Sequence, residues 1–410
     1  MLQKILETAN EDTLFTKYQH GFRKKRSTVT AIAELQNVIA THMDLDEYVA
    51  VASLDLSAAF DVVNVDLLLK RLEKMGIPKD LTKILTSWLK DRAAYVEVDG
   101  ELSEFFLVTE GTVQGSVLGP VLFNLFLKPL LEKTNSPAYA DDSYHYGTSK
   151  TKKQALEILE KKLERAIEWI MKSGLKVNVN KTELCIFHRM DTSKGAMTVG
   201  NVVVKSSHQL SCLGIIMDNR LSWERQVEKS IMESRKALQA VRVVRRYFSK
   251  EETVKLVTSL VYSRLYYASE VWLLPTLKEG LFKKLYSQSG KILKVVDKEL
   301  SYSQLHKTLN RATPRIFSLY QTCVNYYNIM CDQGLLPGVK EAILSNTMQA
   351  NRNDALIFIR QNVYKCGLNI VSHRLRSVTG LIKKAWMFVD KTAFKTYCKK
   401  HVIQQQLLML

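Results

Sequence analysis

The sequence predicts an α+β chain whose first part mixes strands with helices and whose remainder is all-α. Three observations carry this. Apolar runs of strand length alternate with amphipathic segments as far as about residue 218. From Ser222 onward the apolar spacing is almost wholly helical. The bulk composition suits folded domains: 410 residues, 46% hydrophobic, 24% charged, seven prolines and no low-complexity tract.

Each element has its own local reason. Residues 27–43 read as a helix, with Ser27 or Thr28 as cap and Ala31, Leu35, Val38 and Ile39 as an apolar stripe. Residues 48–56 read as a buried strand. Residues 64–76 form an amphipathic helix closed by Gly76 with Pro78 just beyond, and 79–91 form another. The alternation in Tyr95-Val96-Glu97-Val98 and the run Phe105-Phe106-Leu107-Val108, with Asp99-Gly100 between them, predict a β-hairpin. Residues 118–131 read as a buried helix. Residues 150–173 are the clearest helix: Ala155, Leu159, Leu163, Ala166 and Ile170 share one face, Lys and Glu cover the other, and Gly174 closes it. Short strands are expected at 175–179, 183–188, 196–199, 202–204 and 210–217, with Gly200-Asn201 as a two-residue turn. The change of pattern near 218 predicts a domain boundary, and no internal repeat is visible.

Charge narrows the partners. The net charge is +18, from 59 Lys+Arg against 41 Asp+Glu, which predicts a polyanionic partner: nucleic acid first, an anionic membrane surface second. No stretch of 18 or more apolar residues predicts a spanning helix, and the first residues lack a signal-peptide core. The six cysteines (185, 212, 323, 331, 366, 398) are scattered, which predicts reduced thiols and an intracellular protein in nucleus or cytoplasm. Cys398 and His401 amount to half a zinc site with no partner pair at ligand spacing.

The chemistry concentrates in Tyr139-Ala140-Asp141-Asp142. A tight hairpin would hold the two carboxylates at its tip. Neighbouring ionised aspartates repel each other, so they persist together most easily where a divalent cation neutralises them. A third acid, Asp55, ends the apolar run Val51-Ala52-Ser53-Leu54. Two strands each delivering an aspartate to one place would make an oxygen-lined site suited to Mg²⁺ or Mn²⁺. An isolated Asp-Asp pair is also a common turn feature.

Leu54-Asp55-Leu56-Ser57-Ala58-Ala59-Phe60-Asp61, then Gly111 to Pro120 around Gln114-Gly115, then Tyr139-Ala140-Asp141-Asp142 occur in that order. Together they resemble the palm motifs of non-LTR (LINE-type) retrotransposon reverse transcriptases. Gln19-His20-Gly21-Phe22-Arg23 with Arg26-Ser27-Thr28 resembles the same family's preceding motif. Gly174-Leu175 through Asn180-Lys181-Thr182, and Cys212-Leu213-Gly214, resemble its two following motifs. The resemblance covers roughly residues 1–330.

It implies a right-hand polymerase: partial fingers at 1–50, a palm at 51–217 with fingers-side helices at about 62–92, and a helical thumb at 218–330; residues 331–410, beyond the resemblance, read as a basic helical C-terminal region. It implies RNA-directed DNA polymerase activity on an RNA template, a DNA primer and dNTPs. Two Mg²⁺ (or Mn²⁺) ions would be held by Asp55, Asp141, Asp142 and the Leu56 carbonyl. Lys181 would be the general acid toward pyrophosphate. Phe60 would block a ribose 2′-OH, with Ala59, Gln114 and Gly115 close to the nucleotide. Leu213 and Gly214 would sit in the primer-grip hairpin, where glycine allows a tight bend, with a simple core strand as the alternative. The basic groups Arg23, Lys24, Lys25, Arg26, Arg242, Arg245 and Arg246 would meet phosphates.

The chain departs from the family pattern in places. Nothing before Gln19 resembles the earlier fingers hairpin, and no endonuclease domain or zinc knuckle is visible, so a truncated copy is expected. Val113 stands where a proline is usual. Asn135-Ser136-Pro137-Ala138 replaces a more apolar strand, and Pro137 cannot donate to a ladder. The rival readings are a catalytically inactive nucleic-acid-binding remnant of the same fold, an RNA-templated RNA polymerase, against which Phe60 argues, and a membrane-surface helical protein, which has only the charge in its favour.

Overall fold

In a computed structural model, the protein is described at residues 14–274 and 277–301, at Ile5, and at a few positions from 304 to 321. Within 331–410 the described residues are a pairing of Thr347–Met348 with Phe358–Ile359. The expected basic helices of 331–410 and the Cys398/His401 pair lie outside the described residues.

The chain divides into two compact units: residues 1–35, 47–187 and 191–208 in the first, and 36–46, 188–190 and 209–410 in the second. The sequence boundary near 218 therefore differs from the division found, because the strand pair at 209–218 groups with the helices that follow it.

The first unit is built on a six-stranded sheet in the order β11-β12-β10-β1-β8-β7. Its strands are β1 (Tyr48–Leu54), β7 (Ala138–Tyr139), β8 (Asp142–Ser149), β10 (Leu184–Phe187), β11 (Ala196–Val199) and β12 (Val202–Ser207). β1 lies centrally, antiparallel to both β8 and β10. Val49 to Ala52 are fully buried, as expected for a strand covered on both faces. The helix α5 (Lys152–Lys172) lies on β8 and β1. Its buried residues are Ala155, Leu159, Leu163, Ala166 and Ile170, the stripe read from the sequence. Close approach is allowed by Gly147 on β8: a Cβ there would press on the Ala155 carbonyl and lie 2.7 Å from Leu159 N.

The remaining helices of this unit follow the sequence expectations within a few residues. They are α1 (Thr28–Asp44, whose last residues group with the second unit), α2 (Val65–Lys74), α3 (Lys79–Leu89) and α4 (Gly119–Thr134). Asn64 caps α2 by accepting from Leu67 N, and Pro120 sits in the first turn of α4. α4 is buried along most of its length, from Val121 through Leu131. Arg71 of α2 crosses to α4 and α5: its guanidinium donates to the Phe126 carbonyl at 2.8 Å and lies over the Phe126 and Trp169 rings.

The arm between α3 and α4 differs from the single hairpin expected. Asp99-Gly100 does turn the chain, but it joins β4 (Glu97–Val98) to β5 (Glu101–Leu102). The run at 105–108 instead places β6 (Phe106–Val108) against β3 (Arg92–Ala94). Phe105 and Leu107 are 73% and 75% exposed, so this apolar run does not enter the core. The acids Glu97, Asp99, Glu101 and Glu104 are exposed beside it.

In the second unit, β13 (Gln209–Cys212) and β14 (Ile215–Asp218) form a hairpin. The single strand expected at 210–217 is broken because Leu213 and Gly214 both take positive φ, 44° and 86°. α6 (Glu224–Val244) follows, then α7 (Lys250–Leu256), continued through a π-helical turn at Val257–Tyr262, then α8 (Glu279–Val296). Trp223 and Trp272 are core residues, 1% and 0% exposed. Among the described residues no helix is long and apolar enough to cross a membrane.

Candidate active site

The register of β1 and β8 decides where the acids meet. Leu54 pairs with Ser143, so Asp55 leaves β1 beside the point where Asp142 opens β8. Tyr139 pairs with Asp142, which makes Ala140-Asp141 the two-residue turn between β7 and β8. Asp141 is thus on the turn itself and Asp142 is the first residue of the returning strand. Ala140 takes φ 57°, the left-handed region that L side chains seldom occupy.

Asp141 and Asp142 both feel the negative charge of Asp55. Partial loss of water raises the Asp141 carboxyl above its ordinary range, and the negative charge of Asp55 adds to the rise. Asp142 is raised by the same partial desolvation and then by the charges of Asp141 and Asp55. Like charges so placed favour a cation between them. The chemistry of the donors, all hard oxygens, fits Mg²⁺ or Mn²⁺. Among the described residues, no three His, Cys, Asp or Glu side chains stand close enough to hold an ion as they are.

Lys181 reaches this site. The segment from β9 (Lys176–Val177) onward runs along β2 (Leu56–Ser57), with Asn178 N donating to the Asp55 carbonyl at 2.9 Å. A 3₁₀ turn at Val179–Lys181 then brings the Lys181 ammonium to 3.3 Å from Asp55 Oδ2.

Phe60 lies in the turn after β2, half-buried and stacked on Phe123 with ring centroids 4.2 Å apart. Phe22, 50% exposed, meets Phe60 edge-on and lies 6.4 Å from the Tyr139 ring. Phe22 enters the sequence reading as part of the Gln19-to-Arg23 motif, with no role of its own, because a lone aromatic before a basic run carries no periodic signal. Ala59 is buried. The segment bearing Gln114 runs against the same turn: Thr112 N donates to the Phe60 carbonyl at 2.8 Å and Gln114 Nε2 to Asp61 Oδ1 at 2.5 Å. Gly115, at φ 75°, leaves open space where a side chain would stand.

The basic cluster divides. Arg23 donates to the Thr16 and Gln19 carbonyls and lies over the Phe15 ring, and Arg26 donates to the Lys17 carbonyl. Lys24 and Lys25 are exposed. In the second unit, Arg242 and Arg246 are exposed and Arg245 is half-buried, with the Arg246 guanidinium over the Tyr247 ring. The Leu213-Gly214 turn is held from two sides: the Tyr267 hydroxyl donates to the Leu213 carbonyl at 2.9 Å and Lys229 Nζ to the Gly214 carbonyl at 2.7 Å.

Two buried histidines brace the aspartate hairpin. His145 of β8 lies between Ser136 Oγ at 2.8 Å and Ser143 Oγ at 3.1 Å. Burial, and then the Lys162 ammonium, pushes it down to about 3, so it is neutral. His20 is tied to α1 by Thr30 at 2.8 Å and Glu34 at 2.6 Å, and burial lowers its pKa while Glu34 opposes. His20 belongs to the Gln19-to-Arg23 motif, whereas His145 does not stand out in the sequence.

Residues 1–217 match the family described as reverse transcriptase (RNA-dependent DNA polymerase). The RNA-directed DNA polymerase from mobile element jockey of Drosophila funebris is 25% identical over 285 residues, covering 66% of this chain and 31% of that protein. The probable RNA-directed DNA polymerase from transposon X-element of Drosophila melanogaster is 24% identical over 329 residues, 76% of this chain and 35% of that one. The chain thus spans about a third of the length of these curated relatives. A solved telomerase from Candida albicans, in complex with a TWJ fragment of telomeric RNA, aligns with TM-score 0.43 at 11% identity, over 75% of this chain and 57% of that one.

Proposed function

Because this chain belongs to the reverse transcriptase (RNA-dependent DNA polymerase) family, we propose that it copies an RNA template into DNA as the polymerase of a non-LTR retrotransposon. The observation that carries the reading is the β1–β8 register, which sets Asp55 beside the Asp141-Asp142 turn. In this reading residues 51–217 are the palm with fingers-side helices at about 62–92, residues 1–50 are partial fingers and 218–330 a helical thumb.

The reaction joins the primer 3′-oxygen to the α-phosphorus of a dNTP and breaks the bond to the β-phosphate, releasing pyrophosphate. Asp55, Asp141, Asp142 and the Leu56 carbonyl would hold two divalent ions, which when bound promote deprotonation of the primer hydroxyl and neutralise the triphosphate. Lys181 holds a proton next to Asp55 and gives it to the departing pyrophosphate. Phe60, fixed by its stack on Phe123, fills the space a 2′-OH would need. Gln114 and Gly115 line the approach of the nucleotide and its template base, with the small Ala59 allowing close contact. Lys24, Lys25, Arg242, Arg245 and Arg246 draw in the phosphate backbone, and Leu213-Gly214 bends against the primer.

Primer extension with dNTPs on an RNA template tests this. The intact chain extends the primer. Asp141→Asn abolishes extension while RNA affinity holds or rises, since one negative charge is lost beside the template. Salt-dependent RNA binding with no extension by the intact chain would instead establish a catalytically inactive remnant.

A further inference from the structure

We infer that Gln19 is the positioning residue for the Asp141-Asp142 turn, an inference that rests on reading that turn as the polymerase's carboxylate site. The turn needs outside support. β7 is two residues long and follows Pro137; the pairs Ala138↔Ser143 and Tyr139↔Asp142, with Tyr144 N donating to the Pro137 carbonyl at 2.9 Å, make a short ladder for a corner whose first residue sits at φ 57°.

Gln19 supplies that support across 121 residues of sequence. It is fully buried. Its side-chain Nε2 donates to the Ala140 carbonyl at 3.0 Å, and its Oε1 accepts from Ala140 N at 2.9 Å. The amide therefore pairs with both polar groups of one peptide residue, as a neighbouring strand would. The same Oε1 accepts from Gly21 N at 2.8 Å, which fixes the amide's orientation.

The backbone around Gln19 is equally committed. Gln19 bridges Ala138 in parallel, His20 N donates to the Ala138 carbonyl and Ala138 N to the Tyr18 carbonyl, each at 2.8 Å. Residues 18–20 thus cover the edge that the short β7 leaves open. Gly21 comes so near the turn that a Cβ would lie 2.5 Å from Ala140 N. Asn124 of α4 holds the Gly21 carbonyl at 2.7 Å. The amide is the one side chain among these contacts that grips Ala140 itself, and Asp141 is the next residue.

No shorter or purely apolar side chain reproduces this pairing. Methionine fills the space and leaves both Ala140 groups buried without partners. Glutamate keeps the acceptor, loses the donor to the Ala140 carbonyl, and adds a negative charge close to three others. Asparagine is one methylene short.

Three readouts on the full chain test the assignment, with Gln19→Met and Gln19→Glu compared after their thermal melts have shown cooperative folding. Hydrogen exchange of the peptide spanning residues 138–144 should quicken about tenfold or more in Gln19→Met, with α5 unchanged. Mn²⁺ titration followed by electron paramagnetic resonance should show affinity lowered about tenfold. Primer extension should show kcat lowered about 10–100-fold with the dNTP KM within about twofold, since a displacement near 1 Å costs about that much. Unchanged exchange and Mn²⁺ affinity in folded Gln19→Met would overturn the proposal. A general weakening of the fold would speed exchange in α5 as well, which also overturns it. Should the unmutated chain extend no primer, the polymerase reading fails, while the exchange and Mn²⁺ arms still decide Gln19.

Discussion

Acid should loosen the aspartate hairpin through His145, and the size of the effect can be worked out. The imidazole is wholly buried between Ser136 and Ser143, with its pKa pushed down to about 3, against 6.5 for an unperturbed histidine. Between those values the unfolded chain binds a proton at this residue and the folded chain does not. Stability is therefore complete above pH 6.5 and is lost as pH falls toward 3. The loss is about 1.4 kcal/mol per pH unit, hence about 2.7 kcal/mol by pH 4.5 and about 5 kcal/mol at the limit. Asp141 and Asp142 have raised pKa values, so their protonation works in the opposite sense and must be separated out. Urea melts of wild type and His145→Gln from pH 7.5 to 4.5 make that separation, because the carboxylates are common to both. The wild type should lose about 2–3 kcal/mol more than the variant over this range. Parallel pH profiles for the two proteins would refute the argument, since the only difference between them is the titrating ring.

Further outcomes follow from the same geometry. Phe60→Val should admit ribonucleotides in primer extension, and should cost about 1 kcal/mol of stability by losing the stack on Phe123; unchanged sugar discrimination would remove Phe60 from the gate. Gly147→Ala should destabilise by about 1–3 kcal/mol in urea melts, because its Cβ meets the backbone of α5 rather than a side chain that can move aside. A melt equal to wild type would mean that α5 can shift at no cost.

Much of the fold was legible because its signals are local. The 3.6-residue spacing of Ala155 to Ile170 gave α5, and the acid at the end of an apolar run gave Asp55 beside β8. What escaped was long-range or depended on which face a residue takes. Phe105-Phe106-Leu107 reads as an apolar strand, yet it lies on an arm that no layer among the described residues covers, which periodicity does not encode. The break at Leu213-Gly214 escapes periodicity, which reads 210–217 as one strand, though the motif already implies a tight bend at that glycine. Pro137 reads correctly as weakening its strand, since β7 has only two residues. The compensation comes from Gln19, which the sequence marks as the start of a motif but whose partner, a turn 121 positions away, only the fold reveals. Arg23 illustrates the converse: a basic residue that suggests phosphate binding spends its guanidinium on the carbonyls of Thr16 and Gln19.

The arm at 92–108 also bears on how the protein behaves at high concentration. Exposed strand edges rich in phenylalanine and leucine are sites where copies stick together. Here Glu97, Asp99, Glu101 and Glu104 are interleaved with the greasy positions and act as gatekeepers, keeping two such arms apart by mutual repulsion. Screening those acids with salt removes the barrier, so clouding of the solution at high salt should begin at this arm and be suppressed by Leu107→Lys.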